Sequence, residues 1–531
     1  AGEADGPHDI VMLFRPVAGG PRDSEVEDKV VEALIGLRGQ FGARGENDWE
    51  VALFQNRYTQ SDIGINYGLR TNLQGLVDNE VLDPFNPDPA TFGAFAHTIV
   101  NNNEFVAYGF DFNLSFDDVL GNMDFRLPLV IGGEYREEEF KALVDQQSEA
   151  GNVFGSAGST ATGDRDYWAI YAETLIPFAD DRAELSLALR YDRYSDFGGE
   201  LSPKIALSFR PIEELVLRAS YSEGFAAPSL EILNRLPSQG FPSSIDRLGC
   251  FINPDNAFAC DSRQRETFSG SNPDLQAELS EQWSLGMVYR PTDNLWFTLD
   301  YFNIEIDDGI GTLTSQNVLD NELRCFQEGR ACDPTQEGSV ERTAPADQGG
   351  QVVQINAPAA NFTVNETDGF DGTANWQTFT DMGMFGLQAN ITYTRSFKRA
   401  TAPMAPLEEV LQAVANPKWR GQLRGTWSMD RLSANAVINH IPKTDDCSIA
   451  KRNEDPRSPD CQRTMGRFTT VDVQFGYNTP WGGDLVIGAR NLFNKNPPLS
   501  QELGVPAAPE TDQGLYSIFG RVPYLRYSHS F

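Results

Sequence analysis

No stretch of this 531-residue chain comes near the roughly 18 to 20 consecutive apolar residues that a membrane-crossing helix needs. A helical membrane protein is thereby excluded. Positive charge is scarce as well: 42 Lys and Arg stand against 76 Asp and Glu, a formal charge of -34. Such an excess repels phosphate backbones and disfavours anionic ligands, so nucleic acid is not expected as a partner. It reads as a heavily solvated loop surface or, in a sharper reading, as an attraction for a cationic or metal-bearing substrate. Histidine is rarer still, and His8, His97, His440 and His529 are scattered, none with a second ligand at metal-site spacing. The chain has no Gly-x-Ser-x-Gly, no zinc-protease motif and no phosphate-binding Gly-Lys loop, and Gly155 to Gly163 reads as a Gly, Ser and Thr-rich loop. Catalysis is not expected. No signal-peptide pattern stands at Ala1, which reads as the start of a mature or truncated chain.

Cysteine is sparse but ordered. The six occur as three close pairs, Cys250 with Cys260, Cys325 with Cys332 and Cys447 with Cys461, each inside a long stretch rich in Asn, Asp, Pro, Ser and Gly. Metal binding is the rival reading. The pairs lack the tight spacing of zinc sites and have no histidine nearby, so disulfides are expected, in an oxidising compartment. Chain entropy puts each local staple at roughly 2 to 3 kcal/mol.

What the chain has in quantity is period-two alternation and aromatic residues: 34 Phe and 16 Tyr, at a mean hydropathy of -0.39. In Ala183 to Tyr194, Leu185, Leu187, Leu189 and Tyr191 alternate with Ser186, Ala188, Arg190 and Asp192. In Gln282 to Tyr289, Trp283, Leu285, Met287 and Tyr289 fall on one side. Similar runs are Asp9 to Pro16, Val31 to Phe41, Trp49 to Gln60, Glu104 to Phe116, Met123 to Glu137, Tyr167 to Phe178, Leu201 to Phe209, Leu215 to Tyr221 and Leu295 to Ile306. Thr363 to Phe379, Phe385 to Phe397, Lys418 to Trp427, Leu432 to Ile441, Phe468 to Tyr477, Asp484 to Leu492 and Gly520 to Phe531 follow. Gly19 to Asp28 reads as an acidic loop.

Short connections alternate with long ones, and all three Cys pairs fall in long ones. Tight turns at one end and large loops at the other are the layout of an outer-membrane barrel, and the segments give about 18 strands. The last strand ends on Phe531, with His529, Tyr527 and Leu525 on its side. Trp419 and Trp427 share a face roughly 26 Å apart along one strand. At a tilt of about 40° that is near 20 Å along the membrane normal, close to the span between aromatic belts. The expected fold is all-β, a transmembrane antiparallel β-barrel.

Several strings then carry a family resemblance: ASYSEGFAAPS from Ala219 to Ser229, NPDLQAELS from Asn272 to Ser280, WSLG from Trp283 to Gly286, LDYFNIEI from Leu299 to Ile306, and GARNLFN from Gly488 to Asn494. In this order, with the aromatic end, they resemble the barrel of TonB-dependent outer-membrane receptors. The resemblance implies a barrel of about 22 strands, of which about 18 are present here. It also implies an N-terminal plug and an inner-membrane TonB protein that passes energy to the barrel. Neither a plug nor a coupling motif is found in this stretch, so Ala1 is expected near the family's fifth strand.

The expected function is active uptake of a scarce nutrient across the bacterial outer membrane: a ferric siderophore, cobalamin, an oligosaccharide or similar. The alternative is a barrel serving adhesion or complex assembly through its stapled loops. Arg190, Asp192, Arg218 and Glu223 are expected to face the lumen, where they are available to a ligand, to the plug or to structural hydrogen bonds. No cofactor is expected. Asp307 with Asp308 and Asp445 with Asp446 are acidic pairs suited either to solvated turns or to structural calcium.

Overall fold

A computed structural model describes residues 21–529, except 80, 83–90, 92, 94, 95, 121–125, 154–159, 349, 401, 404, 448–458, 506 and 507. Its body is a meander of long strands. The first eight are β1 Asp23–Phe41, β2 Asn47–Gly68, β3 Ala96–Phe116, β4 Leu129–Val144, β5 Ala161–Phe178, β6 Ala183–Tyr194, β7 Gly198–Ile212 and β8 Leu215–Ala226. Then come β9 Glu278–Thr292, β10 Leu295–Thr312, β11 Val352–Thr380, β12 Gly383–Ala400 and β13 Trp419–Met429. Last are β14 Leu432–Ile441, β15 Phe468–Asn478, β16 Gly483–Arg490 and β17 Val522–His529. Each pairs antiparallel with its sequence neighbours, so order in the sheet is order in the chain. Among the described residues β1 pairs only with β2, and β17 only with β16.

Two faces of opposite chemistry follow from the period of two. Leu189, Leu285, Ile391, Ile487 and Leu525 stand 49%, 53%, 49%, 60% and 71% exposed on one face. The surface area is 31,987 Å², against about 19,000 Å² for a compact globular chain of this size. Among the described residues no second layer covers the apolar face, and an apolar band of this extent is stable only against hydrocarbon. The other face carries Arg190, Asp192, Arg218, Asp300, Gln422 and Asn439; Arg190 bonds Asp192 along β6, while Arg218 bonds Asp300 and Gln422 bonds Asn439 across strands. Trp419 and Trp427 sit on the apolar face: Trp419 pairs with Tyr393, and Trp427 donates to the Met382 carbonyl at 2.8 Å. At the tight-turn end Trp481 donates to Tyr527 Oη at 3.2 Å, and His529 stacks on Tyr527.

Tight turns use left-handed backbone. Gly383, the first residue of β12, has φ +106, and a Cβ there would lie 2.3 Å from the Ser428 carbonyl oxygen. A larger residue at that position loses both conformation and space.

Strands run further than sequence alternation indicates. Residues 23–28, expected in an acidic loop, are the start of β1, with Asp23 opposite Ile65 and Asp28 opposite Gln60. β11 begins at Val352 rather than Thr363. Alternation marks only the part of a strand that touches lipid, whereas the backbone ladder continues into water wherever a partner strand does. The expected strand Asp9 to Pro16 lies outside the described residues, as does Phe531.

At the loop end, the β8–β9 and β10–β11 connections build one cap. Residues 238–240 pair antiparallel with 267–270, which run parallel to 355–358 at the top of β11, and 339–342 flank the same strand. Beneath lie Leu313, Val318, Leu319, Ile355 and Ala357, and a second group of Leu233, Leu275 and Ala359, all buried. The helix Ser315–Glu328 starts on a Thr314 capping box and ends at Gly329, φ +69. A separate cluster of Met465, Phe468 and Tyr516 underlies the later loops.

Candidate functional site on the inner wall

The polar face of β4 to β6 carries the densest charge network of the described wall. Arg190 on β6 places Nε 2.8 Å from Asp192 Oδ2 and Nη2 2.7 Å from Oδ1, and it also reaches Glu134 on β4. Glu134 takes a second bond from Arg136 at 3.2 Å. Arg136 lies over the rings of Phe54 and Tyr167, and Arg190 over Tyr171. Two guanidiniums therefore balance two carboxylates, flanked by aromatic faces. Asp192 is 1% exposed, so it depends on Arg190 for its charge to be tolerated.

Arg218 on β8 meets Asp300 on β10 through paired bonds of 2.8 and 2.6 Å. β9 stands between these strands, and the residue in register with both is Gly286. A Cβ on Gly286 would lie 1.9 Å from Asp300 Oδ1, so the ion pair passes through the space the glycine leaves.

Glu223 departs from expectation. Five residues from Arg218, it falls on the opposite, apolar face, where it accepts from Tyr221 Oη at 2.7 Å and stands opposite Glu281. An odd spacing along an unbulged strand changes face, so Arg190, Asp192 and Arg218 share the inner wall and Glu223 does not. Arg420 and Arg424 on β13 face inward beside Gln422 and Thr392, with no ion pair among the described residues. They, Glu134 and Arg136 were findable from sequence by applying the same alternation to β4 and β13.

Each expected cysteine pair is a disulfide, with Cα separations of 4.8, 5.6 and 4.8 Å in chain order. Among the described residues one group of potential metal ligands gathers, Cys325, Cys332 and Glu337, but both sulfurs are in the disulfide and offer no thiolate. Glu337 instead binds Arg330 at 2.7 Å and Arg324 at 2.9 Å. The Arg330 bond, outweighing burial and aided by the Asp333 backbone and Arg324, draws its carboxyl down to about 2. Asp246 is pushed up by burial, yet Arg342 and the Gly249 N–H hold it below the ordinary aspartate range. Of the acidic pairs considered for calcium, Asp446 is buried against Ser500 Oγ, 2.5 Å away, and Asp308 sits at a left-handed bulge with its carbonyl accepting from Asn361.

A one-layer antiparallel meander, lipid-facing on one side and charged on the other under an ordered loop cap, is the wall of a membrane-spanning β-barrel. Among the described residues its polar face pairs guanidiniums with carboxylates and tyrosine rings. The family described as TonB dependent receptor-like, beta-barrel matches residues 18–492, and the chain belongs to that family. Its members are receptors and transporters, and the chain is not an enzyme. The ferrienterobactin receptor of Escherichia coli is 25% identical over 234 residues, covering 40% of this chain and 29% of that protein. The ferric enterobactin receptor of Pseudomonas aeruginosa is 25% identical over 272 residues, 49% of this chain and 31% of that one. A siderophore receptor structure from Acinetobacter baumannii superposes with TM-score 0.57 at 16% identity, covering 91% of this chain and 62% of its own. Less than a third of each curated relative is matched.

Proposed function

We propose that the chain is the wall of an outer-membrane importer that takes up a ferric siderophore or a similarly scarce nutrient with energy passed from a TonB protein. The supporting observation is the inner wall itself. Its guanidiniums, carboxylates and tyrosine rings converge beneath a cap of two stapled loops, the arrangement expected of a surface that recognises a solute from outside. The match to ferric enterobactin receptors supports iron chelates as the first class to test. In this reading the other partners are outer-membrane lipid, a plug domain filling the lumen, and the TonB protein acting through that plug.

The test is uptake of radioiron chelates by iron-starved cells carrying or lacking the gene, with and without an intact TonB system. Uptake lost in both deletions is the expected result. Uptake of every chelate unchanged by removing the gene would overturn the reading, as would an open, unplugged pore in planar bilayers.

A further inference from the structure

We propose that the lipid face of β10 to β13 carries a seat for one phosphorylated, multiply acylated lipid of the outer leaflet. Three observations carry this, all from the membrane side of the wall, so the seat and the uptake reading can fail independently. The first is a groove. On the outward face Gly372 is in register with Ile391 and Ile391 with Gly421, and one step towards the tight-turn end Ala374 is in register with Ala389. Side chains this small leave a groove of about 670 Å³, walled by Phe297 and Leu299 on one side and Leu423 on the other. A flexible acyl chain gains contact on three sides there, whereas elsewhere on the band it meets protruding side chains from one side only.

The second is a cation aimed outward. Asp368 on β11 stands opposite Ser396 and Gly369 opposite Thr394, so Arg395 is the extra residue of a bulge, a device that re-aims a side chain. It turns to the lipid face, where its Nε bonds Asp368 and Tyr301 Oη donates to the same carboxylate oxygen at 3.0 Å. Asp368 is 5% exposed. Burying a carboxylate on this face is costly, and what it accomplishes is to fix the guanidinium. Arg395 itself is 62% exposed and makes no other hydrogen bond among the described residues, which leaves its outer N–H groups for an anion.

The third is the order of chemistry along the wall. Lys418 lies with Nζ 5.5 Å from the centre of the Tyr393 ring, beside Arg395, and Tyr393 is in register with Phe370 and Trp419. From the loop end downward the face therefore presents two cations, a rung of aromatic rings and then the groove. A lipid has the same order: phosphate, polar backbone, acyl chain. One rung above, Glu281, Glu305 and Glu366 stand in register across β9 to β11. They repel a phosphate and so confine it to the side of β12 and β13, where Arg395 and Lys418 are.

Lipid retention by the full chain tests the seat. The protein is extracted into mild detergent from phosphatidylcholine vesicles doped with diphosphoryl lipid A, and the lipid kept per chain is counted by mass spectrometry. Lipid A is expected to be kept and phosphatidylcholine lost. Asp368→Asn with Arg395→Gln removes the clamp without stranding a carboxylate, and Lys418→Gln removes the second cation without touching the clamp. Each is expected to lower retention about fivefold. Ala374→Leu fills the groove, leaves both cations in place and puts a residue native to lipid-facing strands on the surface; it is expected to cost about as much. Equal retention of phosphatidylcholine or of dephosphorylated lipid A would overturn the phosphate seat, as would charge variants that keep lipid A like wild type. Full retention in Ala374→Leu would overturn the groove. A dimer of the chain that carries no lipid and falls apart in Ala374→Leu would make the groove a contact between two copies instead. None of these readouts involves a nutrient or a TonB protein, so a failed seat leaves the uptake reading standing.

Discussion

The membrane wall and the loop cap that lies over it as a lid are continuous through β10 and β11 but held by different forces. In the wall, the backbones of β6 to β9 pair only with their sequence neighbours, and that ladder with lipid on one side does most of the holding. The lid has no lipid and builds a soluble-type interior instead: a dry apolar cluster, two disulfides and carboxylates clamped on buried Arg342. A wall tolerates change to whatever faces its lumen; a lid with so small a core depends on each brace. The sharpest way to break that contrast is Arg342→Met. The side chain is 7% exposed, and its loss removes the guanidinium that bridges Asp246 and Glu322. Local opening of the lid is expected to become easier by about 3–5 kcal/mol. Proteolysis between 243 and 265 should rise while the unfolding midpoint of the wall stays put.

Within the wall the two faces should answer differently to one charge. Leu187 points to lipid and Ala188 to the lumen, one residue apart on β6. Leu187→Arg is expected to cost about 2–4 kcal/mol if the residue lies near the bilayer midplane, and Ala188→Arg well under half of that. Urea unfolding from vesicles checks both, and equal costs would mean that the faces are wrongly assigned.

These faces were legible in the sequence because lipid on one side and water on the other impose a period of two, as the Leu185 to Asp192 run shows. The disulfide partners were legible because each pair is local. Glu223 was misplaced by reading charge instead of counting parity from Arg218. The lid was not legible at all: Arg342 meets Asp246 across 96 residues, and Asn272 meets Ala359 across 87. No local pattern encodes which of several polar loops share a core. The inner network is within reach of the same alternation but harder to single out, since Glu134 and Arg136 lie in a strand rich in charge on both faces.

Gly286→Ala makes the wall behave like the lid, by asking a single packed position to give way. The methyl would sit on Asp300 Oδ1, so the Arg218 bridge must shift or break. Because Arg218 is about half exposed, the lost ion pair matters little, and overpacking dominates a cost of about 1–2 kcal/mol. In an Asp300→Ala background the same change should be nearly neutral. A cost that persists there would place the strain in the backbone instead.

Acid should separate the two regions most gently. The Glu337 carboxyl, ordinarily near 4.5, is held at about 2 in the folded lid, chiefly by Arg330. A depressed carboxylate stabilises the fold fully above its unfolded value and loses that contribution as pH falls towards the folded one. Asp246 is shifted the same way. Lid stability is therefore expected to decline between about pH 4.5 and 2, while the backbone ladder of the wall, carrying no proton, does not respond. Pepsin, active across this window, should nick residues 315–342 increasingly as pH drops and leave β6 to β9 intact. Glu337→Gln, already uncharged, should flatten that dependence. Were wall and lid cleaved in parallel, or the Gln variant to keep the full slope, the acid response would belong to other groups and Glu337 would not be what distinguishes the lid.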